Sequence, residues 1–380
     1  MDRLLPGDSI APASQQKIRL AIDLMGGAKA PDVVLKAVKQ IYEQDKSISF
    51  LLFGTQEVEK YLVDYQINLD CCKFVVCDNY VGDHDKPIQA LRQGRRSTIR
   101  MMVDSVKSGE AQASVSSGNT GALMVIAKTV LGCIEGIKRP AIIAPFPTLK
   151  GKSVLLDLGA NTECTDTMLY QFAMMGICFA RIVLGLDDPK VGLLNVGVEE
   201  IKGRELEQKV YKMLLESGMN FFGYVEGHDI AAGVADVIVT DGFSGNIALK
   251  ASEGAVDAVV HLLRQAVKEN WISTIGGALL KKSLKKHFDI INPELNNGAM
   301  LVGLNGIVVK SHGGSDVMGV VNAIRVAKNL AANNINIAII NELNRLNQHS
   351  IARNHSISHN IVEKIKNTSA KILGMIGESE

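Results

Sequence analysis

The chain has almost no net charge, few cysteines and no long apolar run, and each shortage excludes a class of protein. Its 380 residues carry a formal net charge of +1, too small for a general nucleic-acid binder, so a charged partner must meet a local patch. The six cysteines form no C-x-x-C pair and have no histidine at metal-ligand spacing beside them. The first sixteen residues lack the apolar core of a signal peptide, and nowhere do eighteen apolar residues run together. We therefore expect a cytoplasmic protein without a metal site, bound at most to the surface of a membrane.

Three common fingerprints of nucleotide-binding and hydrolytic enzymes are also missing. Residues 26–31, which follow the first apolar run, do not match the G-x-G-x-x-G pattern of a dinucleotide-binding fold. Residues 151–153 resemble the end of a phosphate-binding P-loop, but the position of its first glycine is Phe146. Residues 242–246 nearly match the pattern G-x-S-x-G, but the last position is Asn246. These differences argue against a nicotinamide-dependent dehydrogenase, a P-loop nucleotide hydrolase and a serine hydrolase.

Glycine, in contrast, recurs at the ends of short apolar runs. Six such runs end in glycine with small polar residues, at residues 26–27, 116–121, 157–161, 197, 241–246 and 310–314. Apolar runs of this length between helical patterns predict strands buried on both faces, as in a parallel sheet. Because the carboxyl ends of parallel strands share one edge, we expect the six turns to lie together, with backbone N–H groups closing around an anion. The sequence therefore predicts a phosphate-binding pocket built mainly from backbone.

The remaining sequence alternates between these runs and helical patterns, which indicates an α/β protein. We predict a Rossmann-like, open and mostly parallel sheet with helices on both faces. Residues 18–345 form this domain, residues 1–17 a flexible N-terminal extension, and residues 346–380 a C-terminal tail with one helix.

One segment stands outside this alternation. Residues 268–295 are predicted to form a protruding amphipathic helical segment, with apolar residues on one side and a basic face on the other. The basic face contains Lys281, Lys282, Lys285 and Lys286. Such a pattern is typical of a helix that lies on an anionic membrane or receives an acidic protein, and equally of a surface helix with a solvated lysine face.

Five of the glycine-containing motifs, read in order, resemble those of the PlsX-type phosphate acyltransferases. They are residues 116–122, 157–161, 197–203, 241–246 and 310–313, and the resemblance covers about residues 18–344. It implies transfer of a fatty acyl group from acyl-[acyl carrier protein] to inorganic phosphate, giving an acyl phosphate for phospholipid synthesis. It also implies a homodimeric α/β protein of the cytoplasm that associates with the membrane surface, and no cofactor is expected.

The chain departs from the family pattern in two places. Ala28 and Lys29 stand where members usually have an acidic residue, often followed by histidine, although Lys29 adds positive charge near the expected phosphate. Val198 replaces a small polar residue that is common before the two glutamates. Neither change touches the asparagine-bearing glycine turns.

The chemistry of the reactants limits what the protein must supply. Phosphate is already a nucleophile at neutral pH and a thioester has a thiolate leaving group, so positioning and charge stabilisation suffice. The residues assigned to phosphate binding are Gly26, Gly27, Lys29, Ser117, Gly118, Asn119, Thr120 and Gly121. Those assigned to catalysis are Lys202, Asn246, His312 and Asn161. Lys202 would offset charge on phosphate and on the developing oxyanion. Asn246 and Asn161 would donate hydrogen bonds to the thioester oxygen.

Each assignment has a structural alternative. All three asparagines are also suited to bracing left-handed turns. Lys202 is also placed to pair with Glu199 or Glu205 on a helix surface. His312 is singled out because it lies in a strand-end glycine turn, although lone histidines are usually structural. Cys164 could attack a thioester as a thiolate, but its interpretation as a small buried residue at a helix start is favoured.

The acyl carrier protein of this pathway is acidic, so its docking is expected on a basic surface. One candidate is the lysine face of residues 268–295, and the other contains Arg92, Arg95, Arg96 and Arg100. Three other functions stay open at this point. They are a phosphate acetyl- or butyryltransferase acting on coenzyme A, a nicotinamide-dependent dehydrogenase-like enzyme, and a membrane-surface scaffold.

Overall fold

A computed structural model describes residues 17–67, 71–291 and 293–345, in which one sheet is flanked by helices. The predicted N-terminal extension, apart from Lys17, and the predicted tail at 346–380 lie outside the described residues.

The sheet contains eleven strands in this part of the chain. They are β1 (Ile18–Asp23), β2 (Ile48–Thr55), β3 (Cys72–Cys77), β4 (Ala113–Ser116), β5 (Ala141–Thr148), β6 (Gly151–Leu156), β7 (Val191–Leu194), β8 (Phe221–Val225), β9 (Val237–Val239), β10 (Ala299–Val302) and β11 (Ile307–Lys310). The α-helices are α1 (Asp32–Gln44), α2 (Glu59–Asp64), α3 (Pro87–Gln93), α4 (Thr98–Lys107), α5 (Thr120–Leu131), α6 (Asp166–Leu184), α7 (Glu205–Leu215), α8 (Gly227–Ala232), α9 (Gly242–Lys268), α10 (Trp271–Ile291) and α11 (Val317–Ala332). Residues 335–345 are helical as well.

The sheet consists of two parallel blocks that point in opposite directions. Its strand order is β3-β2-β1-β4-β11-β10-β5-β6-β9-β7-β8. The first five strands are mutually parallel, and so are the last four. Between the blocks, β10 runs antiparallel to β11 and to β5, and β5 runs antiparallel to β6. The mostly parallel α/β sheet is confirmed, but the expectation that all six glycine turns share one edge is wrong, because three successive reversals separate the blocks.

Helices cover both faces of the sheet, as predicted. Along β2, Phe50 and Leu52 face one hydrophobic core, whereas Leu51 and Phe53 face the other, because successive strand residues point to opposite sides. Helices α1, α6 and α11 pack into the first core, and α4 and α5 into the second. Burying each of these side chains contributes about 1.5–3 kcal/mol relative to its exposed state.

Helix α6 belongs to this core. Among the described residues it is the one helix long and apolar enough to cross a membrane, with a mean hydropathy of 1.5. However, 67% of that stretch is buried inside the fold, with Phe172 and Phe179 fully enclosed. A mostly buried helix of this kind is typical of the centre of a globular domain.

Helices α9 and α10 form a hairpin that projects from the sheet. In α9, only Gly242 and Gly245 of the first turn are buried, although the helix has 27 residues. Helix α10 packs on it where Gly277 meets Val267, which leaves no room for a larger side chain at the glycine. The predicted helical segment at residues 268–295 corresponds to α10 and is largely exposed, as expected.

Candidate functional site

The ends of β1, β4 and β11 converge at one crevice, here called the first crevice, formed by residues 23–28, 116–121 and 310–314. A Cβ on Gly26 would overlap the amide nitrogen of Gly118 and lie 2.9 Å from its Cα. Gly27 has a φ of +96°, and its Cβ would lie 2.9 Å from the carbonyl oxygen of Gly313. The same carbonyl accepts a hydrogen bond from the amide of Ala28 at 2.9 Å. Only glycine permits this approach of three backbones, so the first crevice is built from main chain, as predicted.

The N-terminus of α5 supplies unpaired donors to the first crevice. Asn119 caps the helix, because its Oδ1 accepts from the amide of Ala122 at 3.0 Å. Its Nδ2 donates to the carbonyls of residues 82, 83 and 85 at 3.0–3.3 Å, so the side chain braces the loop above. Within the described residues, the backbone amides of Asn119, Thr120 and Gly121 donate to no protein group. Free amides at a helix N-terminus are a general anion-binding arrangement.

Three buried polar side chains line the floor of the first crevice, and the sequence patterns did not single them out. Ser116 donates to Asp23 Oδ2 at 2.7 Å and accepts from the amide of Gly118 at 3.0 Å. Lys310 Nζ donates to the carbonyls of Ser117, at 3.2 Å, and of Ser311.

The ionisation of this floor is governed by burial. Burial raises the pKa of Asp23 above its ordinary value, against the hydrogen bond from Ser116. Burial also lowers the pKa of Lys310 to about 8, although Asp83 and Asp23 favour its charged form.

Two predicted residues lie at the exposed rim of the first crevice. Lys29 is exposed in the turn before α1. His312 is exposed as well, and its Nδ1 accepts from the amide of Gly314 at 3.2 Å. In the neutral imidazole the proton therefore resides on Nε2, so that His312 can act as a donor through that atom.

The ends of β6, β7 and β9 form a second crevice from residues 157–161, 195–204 and 240–246, at the opposite edge. Its centre is the buried carboxylate of Asp157, which accepts from the amides of Ile142, Gly159, Ala160 and Asn161 at 2.7–3.2 Å. Burial raises the pKa of Asp157, and these hydrogen bonds oppose that rise. The amides of residues 159–161 are thus engaged by the protein's own carboxylate and are not available to an anion.

The two asparagines of the second crevice differ in availability. Asn161 Nδ2 donates to the carbonyl of Pro140 at 2.8 Å and to Asp157 at 2.9 Å, so both its hydrogens are engaged. Asn246 lies over Gly159, where a Cβ would come within 3.6 Å of its side chain. Its half-buried amide makes no hydrogen bond within the described ranges. Asn246 is therefore the available donor of the pair.

Lys202 is exposed beside this crevice, and its ammonium makes no ion pair among the described residues. The alternative of pairing with Glu205 does not occur, because Lys209 pairs with Glu205 at 2.9 Å. The neighbouring Arg204, which the sequence analysis missed, pairs with Glu207 and with Asp241, the residue that caps α9. These ion pairs raise the pKa of the Arg204 guanidinium. The ion pair between Arg204 and Asp241 thus connects the turn after β7 to the start of α9.

Two other candidates are structural. Burial raises the pKa of Cys164 to about 12, which opposes the thiolate needed for nucleophilic attack. Glu226, His228 and Asp229 bring ligand atoms within 4.8 Å of one another. Asp229, however, accepts from the amide of Glu226 at 2.9 Å and caps α8, which accounts for the cluster without a metal.

The two basic surfaces are both accessible. Arg92, Arg95 and Arg100 line a cavity of about 500 Å³ together with Leu91 and Thr129. Two arginines of this surface are paired, Arg96 with Asp78 at 2.8 Å and Arg100 with Asp104 at 3.0 Å. The four lysines of α10 are exposed and make no ion pair in the described part of the chain.

The comparisons with known proteins agree on one family. A family described as "Fatty acid synthesis protein" matches residues 18–338 of the chain. A phosphate acyltransferase from Rhodospirillum centenum is 46% identical over 335 residues, which cover 87% of this chain and 94% of that protein. A phosphate acyltransferase from Paramagnetospirillum magneticum is 42% identical, over 87% of this chain and 95% of that protein. The chain belongs to the phosphate acyltransferase (PlsX) family.

The fold of this phosphate acyltransferase-family chain is similar to solved phosphotransacetylases. One from Streptococcus pyogenes has a TM-score of 0.58 at 17% identity, over 83% of this chain and 95% of that chain. Another from Staphylococcus aureus has a TM-score of 0.54 at 15% identity, over the same 83% and 95%. At such identities the likeness shows the α/β fold alone.

Proposed function

We propose that the protein transfers a fatty acyl group from acyl carrier protein to inorganic phosphate and releases an acyl phosphate. The observation that carries the proposal is the set of unpaired backbone amides of residues 119–121, which follow directly on Gly118, the residue packed against the glycine turn at 26–27, in a chain of the phosphate acyltransferase family. Such donors suit a phosphate dianion, since the helix dipole of α5 adds to their attraction. Lys29 and His312 at the rim add further donors.

In the proposed reaction, a phosphate oxygen attacks the carbonyl carbon of the thioester and a tetrahedral oxyanion forms. Its collapse breaks the C–S bond, so the acyl group remains on phosphate and the carrier leaves as a thiolate. No cofactor and no covalent bond to the protein take part. Correct placement of the two reactants is worth about 7–11 kcal/mol in well-oriented systems, which makes positioning the main task.

We assign Asn246 to the thioester oxygen and Lys202 to the charge of phosphate and oxyanion. Both belong to the second crevice, so the two crevices must open toward a common cleft. Strand twist supports this: five strand steps separate β4 from β9, and about 20–25° per step rotates them by about 100–125°. A rotation of this size would turn the two sets of carboxyl ends away from a strictly opposite arrangement. Asn161, whose donors are engaged, is reassigned to holding the Asp157 turn.

The direct test is mass spectrometry of the products after the full-length protein is mixed with a long-chain acyl carrier protein and phosphate. We expect acyl phosphate and free carrier thiol in equal amounts. The parallel reaction with acyl-coenzyme A separates the close alternative, because a phosphate acetyl- or butyryltransferase would use it instead. Carrier consumption that does not depend on phosphate would refute the proposal. Binding to vesicles without formation of acyl phosphate would favour a membrane-surface scaffold. Binding of a nicotinamide cofactor would favour a dehydrogenase-like enzyme.

We propose the arginine-lined cavity between α3, α4 and α5 as the docking surface for the acidic carrier. Arg92 and Arg95 make no ion pair among the described residues, whereas docking at α10 would place the carrier on the projecting hairpin. Replacing both arginines by alanine should raise the KM for the carrier substrate about tenfold at low salt, and less at high salt. The matched control replaces Lys281 and Lys285. A larger effect in the control would move docking to α10.

We propose that the α9–α10 hairpin contacts an anionic membrane surface and also supports a homodimer. Its exposed apolar side chains include Trp271, at 73% exposure, and Leu279, at 82%, beside the four lysines. An isolated helix pair this exposed is marginal in water, so a partner surface would stabilise it. Sedimentation with vesicles of anionic and of neutral lipid tests the first contact, and analytical ultracentrifugation the second. Retention on neither vesicle type would remove the membrane role.

A further inference from the structure

The peptide group between Ser117 and Gly118 is hydrogen-bonded at both of its ends. Its carbonyl oxygen accepts from Lys310 Nζ at 3.2 Å, and its N–H donates to Ser116 Oγ at 3.0 Å. Ser116 in turn donates to Asp23 Oδ2 at 2.7 Å. This peptide plane cannot rotate without breaking a buried hydrogen bond on either side, and it immediately precedes the unpaired amides of α5.

The three side chains that hold the peptide come from the ends of three different strands. Asp23 ends β1, Ser116 ends β4 and Lys310 ends β11. Lys310 is only 8% exposed and Asp23 only 1%. Burying ionisable groups destabilises a fold relative to apolar residues of the same size, so the folded state alone does not require them here.

We propose that Lys310, Ser116 and Asp23 form a clamp that sets the orientation of the α5 amides and so determines phosphate affinity. Lys310 is then a positioning residue, which acts through the carbonyl of Ser117 and not on the acyl group. The identity of the anion rests on the proposed function, but the clamp itself does not.

The decisive variant is Lys310→Met, which keeps the length of the side chain and removes its donors. We expect its dissociation constant for inorganic phosphate, measured by calorimetry on the full-length protein, to rise at least about tenfold. The KM for phosphate should rise in parallel, whereas the KM for the acyl carrier should stay within about twofold. A purely structural role would move both Michaelis constants together. The matched control is Lys73→Met, since Lys73 pairs with Glu110 on the surface of β3.

Two further variants measure the contribution of the other two clamp residues to phosphate affinity. They also keep the proposal testable if Lys310→Met does not fold. Ser116→Ala removes the acceptor for the Gly118 amide and should weaken phosphate binding about five- to tenfold, the equivalent of one hydrogen bond. Asp23→Asn keeps an acceptor oxygen for Ser116, so its phosphate affinity should stay within about threefold of the wild-type value.

The outcomes separate the clamp from the proposed function. Phosphate binding within twofold of wild type in folded Lys310→Met, or in Ser116→Ala if the first variant does not fold, would overturn the clamp. Equal rises of both Michaelis constants would overturn it too. If the wild type binds phosphate, Lys310→Met does not, and no acyl phosphate is ever formed, the clamp stands and the proposed function fails.

Discussion

The two crevices arise from the same sequence pattern, an apolar strand followed by glycine and small polar residues, yet they present opposite chemistry. In the first crevice, Asp23 accepts from the Ser116 hydroxyl and from the amide of Met25, and the amides of residues 119–121 donate to no protein group among the described residues. In the second crevice, Asp157 folds back on its own turn and takes four amides, while α9 begins with the amide of Gly242 bonded to Asn161. The hydrogen bonds of the strand-end carboxylate therefore determine how many amides of the following turn remain free to bind an anion.

From this difference we infer that the first crevice recognises the anion through backbone amides and that the second crevice acts through side chains. In the second crevice the amides of residues 159–161 are engaged, whereas among the described residues the side-chain amide of Asn246 makes no hydrogen bond and the ammonium of Lys202 makes no ion pair. Substitutions in the first crevice should consequently weaken phosphate affinity, whereas substitutions in the second crevice should lower turnover.

The largest expected effect concerns Asn246. Asn246→Ala should lower kcat about 100- to 1000-fold with little change in stability, because a donor to the developing oxyanion is lost. Steady-state kinetics and thermal unfolding measure the two quantities. Asn161→Ala is the matched comparison: it should destabilise the fold by about 1–3 kcal/mol, since the carbonyl of Pro140 and Asp157 lose a buried donor. Normal turnover in Asn246→Ala would break the division between the crevices.

The next effect concerns the backbone approach in the first crevice. In Gly26→Ala, the added Cβ would overlap the backbone of Gly118, which no side-chain rotation relieves. A displacement of the loop by about 1 Å should reduce turnover about 100-fold, with a raised KM for phosphate. Gly254→Ala in α9 is the control, because its Cβ would meet nothing within 4 Å. A wild-type KM for phosphate in Gly26→Ala would show that the anion binds elsewhere.

The smallest effect is a pH dependence that belongs to the first crevice alone. The pKa of Lys310 is lowered from 10.5 to about 8, so between these values the unfolded chain binds more protons than the folded one. Stability attributable to Lys310 should therefore rise with pH in this window, by at most about 1.4 kcal/mol per pH unit.

Phosphate affinity should fall as the pH rises through about 8, because phosphate is already a dianion there and Lys310, which lies near Asp23 of β1 and Asp83 of the facing loop, loses its charge. Urea unfolding and phosphate titration at pH 7 to 10, each compared with Lys310→Met, measure the two trends. Identical pH profiles in both proteins would assign the change to other groups.

The sequence patterns predicted the strands that carry glycine turns but missed those that reverse the sheet. Strand β5 contains Pro145 and Pro147, which lack an N–H and usually argue against a strand. They are tolerated because β10 pairs only with residues 141–143 of β5, so the prolines face no ladder on that side. Strand β10 has four residues, too few for a periodic signal.

The sequence patterns predicted the glycine turns of the first crevice, but they did not single out the buried ionisable groups beneath them. The glycines at 26, 27 and 118 follow from local pattern, since each marks a strand end. The roles of Asp23 and Lys310 depend on side chains that lie 287 positions apart in the chain (310 − 23) and meet only through β4, which lies between their strands. A contact between residues so far apart in the sequence leaves no local sequence pattern from which it could be predicted.

Helix α9 joins two of the features described above. With 27 residues it is about 40 Å long, and among the described residues its embedded part is the first two turns, where Gly242 and Gly245 are buried, Asn246 is half-buried, and Ala248 and Leu249 pack on the core. A rod held at one end converts a small rotation at its base into a large sweep at its tip, about 0.7 Å per degree at that length. A molecule that binds the far end of the hairpin would therefore rotate α9 at its base and change the orientation of the Asn246 side-chain amide.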